Sequence, residues 1–113
     1  MASNFDVKTS RSVGTTATRI GNYTVASSTK TTVIGLTLAN VTNTAITATA
    51  FHSSHTNNGS NTHLIKNAPI PAGSSLVVVG GDQKDVLANV HGVFVASNTA
   101  SSLDAVMSIL EVT

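Results

Sequence analysis

The chain has 113 residues and a formal net charge of +1, with charged residues at only 10%, well below the ~25% usual in soluble domains. Its length supports one domain, large enough to bury about two-thirds of its surface without disulfides or a metal. A hydrophobic content of 41% and a mean hydropathy of +0.21 exclude a disordered polar tract, and the absence of cysteine excludes thiolate chemistry and Cys-ligated zinc.

Ser, Thr and Asn supply 41 residues (14, 17 and 10), so the exterior is built from hydroxyls and amides and repels its neighbours only weakly. Residues 1–14, MASNFDVKTSRSVG, hold no apolar run of signal-peptide length, and no stretch approaches the ~20 apolar residues of a membrane helix. The expectation is a protein without a secretion signal and without a membrane partner. Lys8, Arg11, Arg19 and Lys30 against Asp6 leave residues 1–30 at +3, and the remainder carries −2. Those cations are sparse and not interleaved with aromatics, so direct nucleic-acid binding is not expected.

With 14 Val and 17 Thr the chain is rich in β-branched residues, which suit a pleated, half-buried surface better than a helix. Along residues 1–30, Val7, Val13, Ile20, Tyr23 and Val25 alternate weakly and predict one or two strands; residues 1–15 fit an extended amino-terminal arm. In 31–41 (TTVIGLTLANV) Ile34, Leu36 and Leu38 share one face at the period of a strand. The segment 45–51 (AITATAF) continues that alternation after an Asn-rich turn, so 31–51 is read as a hairpin. Residues 52–63 (HSSHTNNGSNTH) contain no hydrophobe and hold Asn58-Gly59, a favoured tight-turn pair, which predicts an exposed loop or the tip of a long hairpin.

Leu64 to Asn67 resumes a strand, and Pro69 to Gly73 reads as a stiff connection with Pro71 at the first corner of a turn and Gly73 at its exit. Leu76 to Val79 is a strand apolar on both faces, ended by Gly80-Gly81-Asp82. A short segment at Val86–Val90 and a strand at His91–Ser97 follow. Residues 103–113 (LDAVMSILEVT) place Leu103, Val106, Met107 and Leu110 at helical spacing, but β-branched Val106, Ile109 and Val112 and two apolar faces favour a strand. The helix stays open as the alternative. Strands about every ten residues, broken by Gly, Pro and Asn, predict an all-β, single-domain antiparallel β-sandwich over residues 1–113, jelly-roll or Ig-like, with about 7–8 strands.

Chemistry-bearing patterns are few. His52, His55 and His63 could in principle gather at a metal, but the nearest acids, Asp82 and Asp85, stand far off in sequence, and solvated loop histidines are the simpler expectation. No Gly-x-Ser-x-Gly elbow, phosphate-binding loop or paired carboxylates appear, so no catalytic residue, cofactor or metal is assigned and no enzyme is expected. The four aromatics, Phe5, Tyr23, Phe51 and Phe94, are expected mostly in the core rather than as a stacking surface.

The runs TTVIGLTLAN (31–40), HLIKNAPIPAGSSL (63–76) and SILEV (108–112) resemble small virion structural proteins of tailed bacteriophages, cyanophages in particular, over roughly residues 20–113. The most specific piece is PIPAGSSL. The resemblance implies a non-enzymatic β-sandwich subunit that cements the capsid shell or forms part of the neck and tail, assembled in the host cytoplasm and resident in the virion. A charge-poor β-domain must also protect its sheet edges, and a symmetric oligomer is one way to cover them. The expected function is capsid decoration, bridging and stabilising neighbouring shell subunits as a trimer. The expected partners are copies of itself and a major capsid or neck/tail protein. Alternatives are a ring or sleeve in the neck, tail or fibre, and a host-surface glycan-binding module. Leu103, Val106, Met107, Ile109, Leu110 and Val112 are the expected interface, and His52, His55, Asn57, Asn58 and His63 the expected loop contacts.

Overall fold

The alternating Thr, Val and Ala of this chain pair into strands throughout the computed structural model, which describes residues 3–54, 61–80 and 82–113. Nine strands lie in the described residues: β1 (Ser3–Val13), β2 (Thr18–Arg19), β3 (Lys30–Asn40), β4 (Ile46–Ser53), β5 (Asn61–Ile70), β6 (Ser75–Val79), β7 (Asp85–Leu87), β8 (Gly92–Ser97) and β9 (Leu103–Val112). A single 3₁₀ turn, Ile20–Asn22, follows β2. The chain is all-β, with one or two more strands than the spacing of turns suggests, because β2 and β7 are too short to show a periodicity.

The strands form two antiparallel sheets. Sheet A has the order β1-β9-β3-β6, with β7 beside β6 on the same edge of β3; sheet B has the order β2-β8-β4-β5. First strand therefore pairs with last, β2 with β8, β3 with β6 and β4 with β5. A long hairpin rolled on itself has this pairing, and of the two sandwiches expected the jelly roll is the one formed. The segment expected as an amino-terminal arm is β1, registered with β9 from Ser3↔Val112 to Val13↔Leu103.

The core lies between the sheets. Val33, Leu36 and Leu38 of β3 and Ala105, Met107 and Ile109 of β9 face Ile46, Ala48 and Ala50 of β4 and Val93 and Val95 of β8. Each fully buried Leu, Ile or Met contributes about 1.5–3 kcal/mol. Ile20, Val25 and Leu87, buried in the same cluster, close it at the side.

Several local expectations are corrected. β3 and β4 do not form a hairpin: they sit in different sheets, and Val41–Ala45 carries the chain from one layer to the other. Asn40 holds that crossing, its buried Nδ2 donating to the carbonyls of Thr44 (2.8 Å), Ile70 (3.0 Å) and Pro71 (3.2 Å) while its Oδ1 accepts from Thr42 N (2.9 Å). Ile34 does not share the core face with Leu36 and Leu38. The β3–β9 register slips between Val33 and Gly35, so Ile34 is the extra residue of a bulge and Val33 takes the core position. Pro69 and Ile70 belong to β5 rather than to a connection; β5 is an edge strand, where a residue without an N–H is tolerated. The turn spans 71–74, closed by Ser74 N to Pro71 O at 3.1 Å, with Gly73 at φ +67° in the third position. Residues 103–112 are strand, and the helical alternative fails because β9 pairs on both sides, with β1 and β3.

Candidate assembly surface

Alternation along β9 sends Ala105, Met107 and Ile109 into the core and Val106, Ser108, Leu110 and Val112 to the outer face of sheet A. The same parity on the other strands builds two apolar rows across that face. One row runs Thr9–Val106–Thr37–Val77, and the other Phe5–Leu110–Thr32–Val86. Between them lies Val7–Ser108–Gly35. Phe5 is 72% exposed, Val77 64% and Val106 47%, with Val7 and Val86 also exposed. Among the described residues nothing covers these groups, although exposing contiguous apolar area is uncommon in a protein that acts alone.

The expected interface residues thus divide. Leu103, Met107 and Ile109 are fully buried in the core of the chain itself, whereas Val106, Leu110 and Val112 lie on the open face. Phe5, expected in the core, is the most exposed of the large hydrophobics, and Val7, Val77 and Val86 join it. In sequence Phe5 and Val7 alternate with polar residues as in ordinary one-sided burial, and Val77 stands in an all-apolar run; only the position of the second sheet shows that they point away from it.

The loop residues also divide. His55, Asn57 and Asn58 lie outside the described residues. His63, on β5, is exposed and sets its ring 5.3 Å from that of Phe51. His52 is not a loop residue: it lies on β4, half-buried, with Nδ1 2.9 Å from Asp85 Oδ1 and Nε2 2.8 Å from His91 Nδ1. Asp85 pairs with Val33 on β7, so the acid distant in sequence is brought across the sandwich from sheet A to sheet B.

A carboxylate at Asp85 accepts from His52 Nδ1, and which ring donates between His52 Nε2 and His91 Nδ1 depends on the tautomer. Burial, and then the neighbouring His52, push His91 below the ordinary histidine range. Both nitrogens of His52 are engaged, so neither is open to take a proton from a substrate. Among the described residues no group of three His, Asp or Glu side chains is placed to hold a metal ion. The cluster's chemistry is that of a polar tie between sheets.

The outer face of sheet B differs from that of sheet A because its aromatics cover one another. Arg19, Phe94, Phe51 and His63 stand in register on β2, β8, β4 and β5. The Arg19 guanidinium lies 4.6 Å from the Phe94 ring centre, and Phe94 stacks on Phe51 at 5.4 Å. Gly92 makes room for this, since a Cβ there would collide with the Arg19 guanidinium. Phe51 and Phe94 are both buried.

No protein-family profile and no curated protein sequence matches the chain. Among solved structures it is similar to one described as "Bacillus endospore appendages form a novel family of disulfide-linked pili", with a TM-score of 0.54 and 14% identity over 99% of this chain and 87% of that one. At that identity the likeness is one of fold. This chain has no cysteine with which to make a disulfide of its own.

Proposed function

We propose that this chain is a non-enzymatic structural subunit working in many copies, and in finer terms a capsid decoration protein of a tailed bacteriophage that bridges neighbouring shell subunits in the virion. The observation that carries the reading is the open apolar face of sheet A, where Phe5, Val7, Val77, Val86 and Val106 are exposed on a chain with only 11 charged residues. A lone soluble domain gains nothing from such a face, whereas a subunit in a repeating assembly buries it many times over, and weak contacts then add. The jelly roll suits this role, because a sandwich presents a preformed sheet face at little ordering cost.

A second reading, a ring or sleeve in the neck, tail or fibre, is favoured by the likeness of fold to a pilus protein. Imaging of the intact particle separates the two. Cement requires on the order of hundreds of copies bound to the shell, and a sleeve about six to a few dozen around an axis. A particle lacking this chain altogether overturns both.

A further inference from the structure

We infer that the outer face of sheet A is a self-complementary surface that packs against the same face of a second copy about a two-fold axis lying across the strands at the level of Ser108. The inference rests on the structural-subunit reading and names its first partner.

The registers supply the argument. Ser108 pairs with Val7 on one side and Gly35 on the other, and the two apolar rows lie two residues to either side of it along β9, at Val106 and Leu110. A two-fold rotation about the line through Ser108 reverses the strand direction and leaves each strand over its own copy. It therefore lays one row over the other: Thr9 over Phe5, Val106 over Leu110, Thr37 over Thr32, and Val77 over Val86. Val106 meets Leu110, Thr37 meets Thr32 and Val77 of β6 meets Val86 of β7, groups of matching character, while on β1 the methyl of Thr9 meets the ring of Phe5. Small Gly35 and Ser108 at the centre let the two sheets approach to about the 10 Å of stacked sheets.

Charge favours the same axis. On β3 and β9 the charged outer-face residues stand at opposite ends, Lys30 in the row of Val112 and Asp104 in the row of Ala39. The rotation brings Lys30 of one copy to the Asp104 end of the other, one strand (about 4.8 Å) aside; Arg11, in the bulge of β1, stands a further strand out. Rotation about an axis along the strands would set Lys30 against Lys30 instead. The face measures four strands by about nine residues, roughly 600 Å² per copy. Two copies then bury about 1,200 Å², above the ~1,000 Å² a specific interface needs.

The test is sedimentation velocity on the purified full-length chain, with no other virion component, over about 1–100 μM. Dimers are expected. Val106→Lys, and independently Val77→Lys, should weaken dimerisation at least tenfold, with unchanged thermal unfolding at low concentration showing that the fold survives. Lys30→Glu should also weaken it, and the double change Lys30→Glu/Asp104→Lys should restore it. A monomer at 100 μM, or a trimer or ring indifferent to Val106→Lys and Val77→Lys, overturns the two-fold pairing. Those outcomes leave the structural-subunit reading to particle imaging, and a dimer that imaging never finds in a particle overturns that reading alone.

Discussion

Tyr23 shows how much a single side chain does where β1, β3 and β9 meet. Its hydroxyl donates to Glu111 Oε2 at 2.8 Å and lies 2.7 Å from Thr31 Oγ1, which donates in turn to the phenol oxygen. Lys8 stands 5.1 Å from the ring centre. Burial, chiefly, raises the Tyr23 hydroxyl from 10 to about 12. Because the folded state holds this proton more tightly than the unfolded one, the stabilisation is complete below pH 10 and is lost as pH rises through about 12. Tyr23→Phe should therefore flatten the fall in stability across that window. At neutral pH it should cost about 1–2 kcal/mol, because Glu111 and Thr31 lose their partner. Urea denaturation of both proteins from pH 8 to 12 checks this, and parallel curves would contradict it.

At the scale of the element, β9 carries core and surface on one strand, each at every second residue. Met107, buried at 1% exposure, should cost about 2–5 kcal/mol as Met107→Ala through lost burial and the cavity left behind. Its neighbour Val106 points outward, and Val106→Thr should change stability by no more than about 0.5 kcal/mol at low protein concentration, where copies are apart. Chemical denaturation of the two variants side by side gives the comparison, and similar losses would mean that the outer face is already covered within one chain. β1 faces a different problem: as an edge strand it could recruit other chains. It carries the Lys8–Asp6 ion pair at 3.3 Å and a bulge between Ser10 and Val13, both features that discourage further strand pairing at an edge.

For the whole molecule, the topology ties the ends together. β9, the last of the nine described strands, lies between β1 and β3 in the middle of sheet A. A chain ending at Ser102 should therefore show no cooperative unfolding, since β1 would lose its partner and β3 one of its two edges. Circular dichroism and limited proteolysis would show this, and a protease-resistant truncated chain would contradict it. The two sheets are also tied by Asp85–His52–His91 at one place and by the Asn40 crossing at another. Because these ties join residues 30 to 39 positions apart, they form only as the layers close.

What could be read before folding follows from the range of each signal. The all-β class, the strand at 103–112 and the pairing of the strands that flank the polar run after His52 were legible, since β-branched content and two apolar faces are local properties; Asn58-Gly59 lies outside the described residues. The partner of β3 was not, because a period of two says which side chains share a face and is silent on which strand lies alongside. One bulge was enough to exchange Ile34 for Val33 in the core. The pairing of His52 with Asp85 was hidden by 33 intervening residues. The open face of sheet A was hidden in another way: Phe5, Val77 and Val86 look in sequence like core residues.

By itself, then, the amino-acid sequence determined a charge-poor, cysteine-free chain of short strands with small polar residues in the turns, because those properties depend on composition and on neighbours a few positions apart. Tertiary structure alone decided which apolar rows are buried and which are left bare, because a strand has two faces and only the placement of the second sheet distinguishes them.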